Sequence, residues 1–129
     1  MTNYVLLDSL ESTGLTAKVI KQFQEIFLTH DDSTLPQLVS SDCIMESARP
    51  APDGIRYAGM KENIDIWSKL ATDTNKQFEF EEVFVSGDRA IIRWRHRWGT
   101  DDSQSVRGVN LMRISGGVIV EALAYVKAM

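Results

Sequence analysis

The last third of the chain, from Phe78-Glu-Phe-Glu-Glu-Val-Phe-Val85 to Ala124-Tyr-Val-Lys127, alternates apolar and polar side chains with a period near two. That period belongs to strands with one face buried. Breaks at Ser86-Gly87-Asp88, Gly99 to Ser103 and Ser115-Gly116-Gly117 supply turns, and the segment reads as three hairpin-linked strands. A sheet of this length cannot leave its apolar face in water, so the chain before it must supply a cover.

Amphipathic helices provide that cover. Residues 1–15 read as an N-terminal arm or a short helix, with Asp8 to Gly14 turn-like. Thr16 is placed to cap a helix to about His30, whose apolar face is Val19, Ile20, Phe23 and Phe27. His30 falls in its last turn, where a cation suits the helix dipole. Asp31 to Thr34 breaks the chain, and Leu35-Pro36 opens a second, short helix carrying Leu38 and Val39. Ser41-Asp42 reads as a turn, Cys43 to Ser47 as a short strand, and Ala48 to Gly54 as a loop with two prolines. Ile55-Arg-Tyr57 pairs briefly, and Gly59 starts a third helix to about Thr72, buried along Ile64, Trp67 and Leu70. With no linker, repeat or low-complexity segment, residues 1–129 read as a single domain.

Composition excludes several functions. A net charge of -4 and a pI near 5.1 are unlike a nucleic-acid binder, which needs basic patches. No apolar run approaches the roughly 18 residues of a membrane span. Met1 to Leu10 lacks a basic stretch and carries Asp8, unlike a signal peptide. One cysteine, Cys43, permits no internal disulfide, which fits a cytoplasmic location. No spaced Cys/His set suggests a metal and no glycine-rich phosphate motif suggests a nucleotide, so no cofactor is expected.

The Ser86-Gly87-Asp88 turn sets a register. If Val83 faces Ile91, Glu81 faces Arg93 and Glu79 faces Arg95, so opposite charges meet across one face. On the other face Phe80 meets Trp94 and Phe78 meets His96. Continuing the parity places Asn110 near Ala122 and Gly108 near Ala124. One face then carries Phe78, Phe80, Phe84, Ile92, Trp94, His96, Trp98, Asn110 and Met112 opposite small Ala122 and Ala124. Aromatic walls over a small-residue floor leave room for a ligand. The opposite face holds Val83, Val85, Ile91, Val109, Leu111, Leu123 and Tyr125 beside the Glu/Arg ladder. That is too apolar for a solvated face, and a homodimer through this outer face is expected.

Gly59-Met-Lys-Glu-Asn-Ile after the loop, Phe78-Glu-Phe-Glu-Glu-Val with Gly87-Asp88-Arg89, Ile92-Arg-Trp-Arg, Val106 to Ile114 and Gly117-Val-Ile-Val-Glu121 together resemble the nuclear transport factor 2-like superfamily, in its SnoaL-like branch. The resemblance covers residues 16–127. It implies an α+β, cystatin-like cone: a curved antiparallel sheet covered by N-terminal helices, with an interior pocket. The branch includes polyketide cyclases, which use a polar acid/base residue deep in the cone without cofactor, and the superfamily extends to ketosteroid isomerases. The isomerase's aspartate base, its tyrosine and its protonated aspartic acid fall here on Ser47, Phe23 and Asn110, so that catalytic triad is not retained. Asn110 keeps a neutral hydrogen-bond donor.

Candidate residues follow from both lines. His96, between Trp94 and Trp98, is the acid/base candidate or else a core histidine bonded to a backbone carbonyl. Asn110 is an oxyanion donor or a structural amide. Glu46 is a pocket carboxylate or, one parity off, a solvated strand residue, in which case Ser47 takes its place. Glu82 falls on the apolar face unless a bulge at Glu81-Glu82 turns it outward. Trp67 roofs the pocket or fills the core, and Tyr57 is a phenolic donor at the mouth or a strand-edge aromatic. Phe23, Phe80, Trp94, Trp98 and Met112 complete the expected binding wall. Arg93, Arg95 and Arg97 form an anion site or simply pair with glutamates across the ladder. The expected ligand is a small, largely apolar molecule. The protein either isomerises, cyclises or dehydrates it by acid/base chemistry, or binds it without turnover as a dimeric binding or association module.

Overall fold

A computed structural model describes residues 2–128; Met1, part of the expected arm, and Met129 lie outside the described residues. All strands share one curved, unclosed sheet. In chain order the elements are β1 (Asn3–Leu6), α1 (Glu11–Thr29), a single 3-10 turn (Leu35–Gln37), β2 (Val39–Glu46), β3 (Arg56–Ala58), α2 (Met60–Thr72), β4 (Gln77–Ser86), β5 (Arg89–Arg97), a second 3-10 turn (Asp102–Gln104), β6 (Ser105–Ser115) and β7 (Val118–Val126). The spatial order is β1-β4-β5-β6-β7-β2-β3. Four hairpin-linked strands, rather than three, occupy the last third, because three turns join four strands. These pair antiparallel, whereas β1 joins β4 and β2 joins β7 in parallel.

The N-terminal arm is therefore a strand, which covers the β4 edge. α1 starts at Glu11 rather than Thr16, because Thr13 and Thr16 lie on its buried face with Ala17, Ile20, Phe23 and Phe27. The start is organised by Asp8, whose carboxylate accepts from Leu10 N at 3.0 Å and from the Thr13 hydroxyl. Thr13 Oγ1 in turn accepts from Gly87 N at 2.8 Å, which ties the helix to the β4–β5 turn. His30 ends the helix with φ of 57°, and its Nδ1 donates to the Ala71 carbonyl at 2.8 Å. Ser41 and Asp42 lie inside β2 instead of forming a turn; the irregularity there is a register shift between Val39 and Ile44. On α2 the buried residues are Asn63, Trp67 and Ala71. Asn63 Nδ2 donates to the carbonyls of Cys43, Tyr57 and Gly59, which pins the helix over β2 and β3.

The β4–β5 register holds for half its length. Phe78 faces His96, Glu79 faces Arg95 and Phe80 faces Trp94. A bulge at Glu81 then shifts the pairing by one, so Val83 faces Ile92 rather than Ile91. The bulge turns both Glu81 and Glu82 outward. It also turns Val83 and Val85 into the core and Phe84 to the outer side, reversing the expectation for those three. The outer carboxylates pair with Arg107 and Arg93, each at 2.9 Å, and Glu79 reaches diagonally to Arg97. At the last hairpin, Asn110 faces Ala124 and Gly108 faces Val126, two residues from the expected partners. The turn is one residue shorter than expected and a bulge between Arg113 and Ile114 adds another, so beyond the bulge the two offsets sum to an even number and the side chains there keep their faces.

Candidate functional site

Helices and sheet do not close on each other completely. They enclose a cavity of about 570 Å³. Its wall comes from α1 (Phe23, Phe27), β2 and the following loop (Met45 to Arg49), α2 (Trp67, Leu70), Lys76, and the inner faces of β4 to β7 with Trp98. Phe23, Met45, Trp67 and Phe80 are buried and mark the floor, whereas Arg49, Lys76 and Trp98 are exposed and mark the mouth.

The wall is an aromatic chain with edge-to-face contacts. Phe23 meets Phe27 and Trp67 at 5.0 Å between ring centres, Phe27 meets Phe78 at 5.3 Å, and Phe78 meets Trp94 at 5.7 Å. Trp94 lies over Gly108: a Cβ on that residue would come within 2.6 Å of the indole. So placed, Trp94 Nε1 donates to Asn110 Oδ1 at 3.1 Å. An indole N–H can only donate, so the amide oxygen must face it and the Asn110 NH2 is left to donate to a ligand.

His96 stacks on Phe78 at 4.5 Å and lies 6.2 Å from the Trp98 ring. Its Nε2 is buried without a hydrogen-bond partner among the described residues. Burial lowers its pKa below the ordinary 6.5, Lys76 and Arg49 lower it further, and Asp73 partly opposes them. The imidazole is therefore neutral near pH 7 and able to accept a proton.

Of the expected site residues, Phe23, Glu46, Ser47, Trp67, Phe80, Trp94, His96, Trp98 and Asn110 line the cavity. Tyr57 and Met112 do not. Tyr57 packs against the core from β3, and Met112, 1% exposed, lies two residues further from the mouth than Asn110, where the core is filled. Both Glu46 and Ser47 reach the wall, but each is engaged. Glu46 pairs with Arg56 at 3.3 Å. Ser47 Oγ donates to the Arg49 carbonyl at 2.6 Å and accepts from Ile55 N at 2.9 Å, which clasps the loop shut. Arg49 and Lys76 were not foreseen; Arg49 lies in the loop after β2 and Lys76 directly before β4. Cys43 is buried, and desolvation, with Asp42 and Glu121 nearby, pushes its thiol up to about 12, so it stays protonated. Among the described residues no three His, Cys, Asp or Glu side chains group to hold a metal, and no helix is long and apolar enough to cross a membrane.

The profile of the SnoaL-like domain matches residues 20–122. The chain belongs to the SnoaL-like domain family. A crystal structure of a nuclear transport factor 2-like protein of unknown function from Mesorhizobium loti is similar to this SnoaL-like domain at 44% identity, with a TM-score of 0.89 over 96% of this chain and 99% of that one. More distant structures share the fold. A steroid delta-isomerase from Pseudomonas aeruginosa is 22% identical, with a TM-score of 0.73 over 94% of this chain and 85% of that one. A protein provisionally called a polyketide cyclase, from Sinorhizobium meliloti, is 19% identical, with a TM-score of 0.69 over 89% and 99%. No curated protein matches this SnoaL-like domain.

Proposed function

We propose that this SnoaL-like domain binds a small, largely apolar molecule carrying a carbonyl-type oxygen, and acts on it by acid/base chemistry without a cofactor. One observation carries the reading: in an aromatic cavity of about 570 Å³, His96, whose buried Nε2 has no hydrogen-bond partner among the described residues, shares the wall with an Asn110 amide whose oxygen is taken by Trp94 and whose NH2 is left to donate. The ligand's apolar body lies against Phe23, Trp67, Phe80 and Trp94. Its oxygen accepts from Asn110, whose orientation is fixed in advance by Trp94. His96 takes a proton from a carbon or hydroxyl beside that oxygen and returns it, as isomerisation, cyclisation or dehydration requires. Relatives of this fold named as an isomerase and, provisionally, as a cyclase support the reaction class.

A second reading, binding without turnover, is favoured by the pairing of Glu46 with Arg56, which engages the one carboxylate side chain among the wall's described residues. One experiment separates the two. Apolar ketones and enones are screened for thermal stabilisation of the protein, and the stabilising compounds are then assayed for conversion by wild type and His96→Ala. Conversion that falls at least about a hundredfold in the variant supports catalysis, in line with the contribution of a general base. Stabilisation without conversion supports the binder. Failure of every compound to stabilise removes both readings.

The outer sheet face is proposed to pair with a second copy of the chain. It leaves Ile91, Leu111 and Tyr125 exposed at 42%, 37% and 55%, beside the Glu81–Arg107 and Glu82–Arg93 pairs.

A further inference from the structure

The cavity runs past Asn110 to Ala122, and its deep end lies over β7. Two cross-strand rows shape that end. In the first, Ala124 stands opposite Asn110 of β6, and β2, in which Glu46 pairs with Leu123, brings Ser47 up on its other side. In the second, Ala122 stands between Met112 of β6 and Met45 of β2. Asn110, Ser47 and Met45 line the cavity together with both alanines, and Met112, 1% exposed, closes it beyond them.

Alanine is depleted in strands, where it offers little to pack against its neighbours. A larger residue at either position would bury more apolar surface; alanine leaves the volume open instead. The room does not serve a helix, because α1 packs mainly on β4 and β5 and α2 mainly on β2. The inner face of β7 is left to the cavity. The width of the opening there follows from strand spacing. Neighbouring strands lie about 4.8 Å apart, so β6 and β2 stand about 9.6 Å apart across β7. Asn110 and Met112 on one side, and Ser47 and Met45 on the other, take up part of that width. What remains over the two alanines admits a methyl group or the edge of a flat ring and excludes a branched group.

We propose that Ala124 and Ala122 determine specificity, restricting the pocket to ketones that are slim on one side of the carbonyl. The oxygen accepts from Asn110, a methyl group or an unbranched ring edge enters the groove over the alanines, and the larger part of the molecule lies back along Phe80 and Trp94. The inference rests on the reading of the cavity as a carbonyl-binding site and adds a limit on its substrates. Asn110 and Ala124 are directly opposed across the ladder, so a carbonyl held by the one sets its flanking group over the other.

Calorimetric titration tests this with three probes that share one aromatic body: 2-acetylnaphthalene, its tert-butyl counterpart 2-pivaloylnaphthalene, and naphthalene without the carbonyl. Wild type is expected to bind the methyl ketone at least about tenfold more tightly than either of the others, although the tert-butyl ketone is the more apolar of the two ketones. Ala124→Val fills the groove. It should bring the methyl ketone down to the level of naphthalene and leave naphthalene within about twofold. It should also melt no lower than wild type, since its added methyl groups meet open space; in a filled core the same change would destabilise. Wild type that binds the tert-butyl ketone or naphthalene as tightly as the methyl ketone overturns the size limit and leaves the pocket standing. So does a methyl-ketone affinity unchanged in Ala124→Val. A variant that melts lower, or that loses naphthalene in equal measure, shows Ala124 to be a packing residue and overturns the inference as well. Binding of none of the three probes overturns the pocket reading and this inference with it.

Discussion

Trp94 owes its place to Gly108. Because a Cβ at residue 108 would strike both the indole and the Tyr125 carbonyl, Gly108→Ala must shift Trp94 and break its bond to Asn110. The expected cost is about 1–3 kcal/mol, the range for overpacking a core, read by chemical denaturation together with a shift in tryptophan emission. His96 makes a prediction in pH. Its pKa is lower in the folded protein than the ordinary 6.5, chiefly by burial. Between those two values the unfolded chain binds the proton that the folded protein refuses, so stability from this residue is complete above about pH 6.5 and falls as the pH drops through the window. His96→Gln lacks that loss. The drop in melting temperature from pH 7.5 to pH 5 should be smaller in the variant than in wild type, and an equal drop would mean that His96 is not desolvated.

At the level of elements, the bulge in β4 decides which side chains reach the core. Before Glu81 the even-numbered residues Phe78 and Phe80 point inward; after it the odd-numbered Val83 and Val85 do. Deleting Glu81 should make the strand regular with the same partners, Val83 still inward on Ile92 and Val85 on Ala90, and should remove only the Glu81–Arg107 pair. The expected result is a chain that still melts cooperatively by circular dichroism, whereas inserting one residue after Glu82 should drive Val83 and Val85 outward and abolish that melt. α2 is held differently, by Trp67 in the aromatic floor and by Asn63 beneath it. Trp67→Ala should cost about 3–5 kcal/mol by cavity formation, seen as a lower denaturation midpoint at unchanged slope.

For the whole molecule, the two faces of the sheet divide the work. The inner face builds the cavity, and the outer face carries salt bridges that, exposed as they are, contribute little stability. The exposed Tyr125, Leu111 and Ile91 among them match the apolar centre and polar rim of a protein interface. Tyr125→Glu is expected to convert a dimer to a monomer in sedimentation equilibrium without lowering helix or strand content. A wild-type protein that sediments as a monomer at tens of micromolar would remove the second copy from the account.

Local chemistry alone determined most of the architecture. Period-two alternation and glycine turns define β4 to β7, helical spacing defines α1 and α2, and the face shared by Phe80, Trp94, His96 and Asn110 follows from side-chain parity, which survives any even error in register. Tertiary structure decided what parity cannot. The Glu81 bulge moved Val83, Val85 and Phe84 across the sheet, since one inserted residue reverses every side chain after it. Tertiary contact also made β1 from Asn3 to Leu6, a segment too short to be assigned alone, by pairing it with the β4 edge. Arg49 and Lys76 are far apart in the chain and meet at the mouth only when loop and connector converge. A pocket's charge depends on such convergence, and no spacing along the chain encodes it.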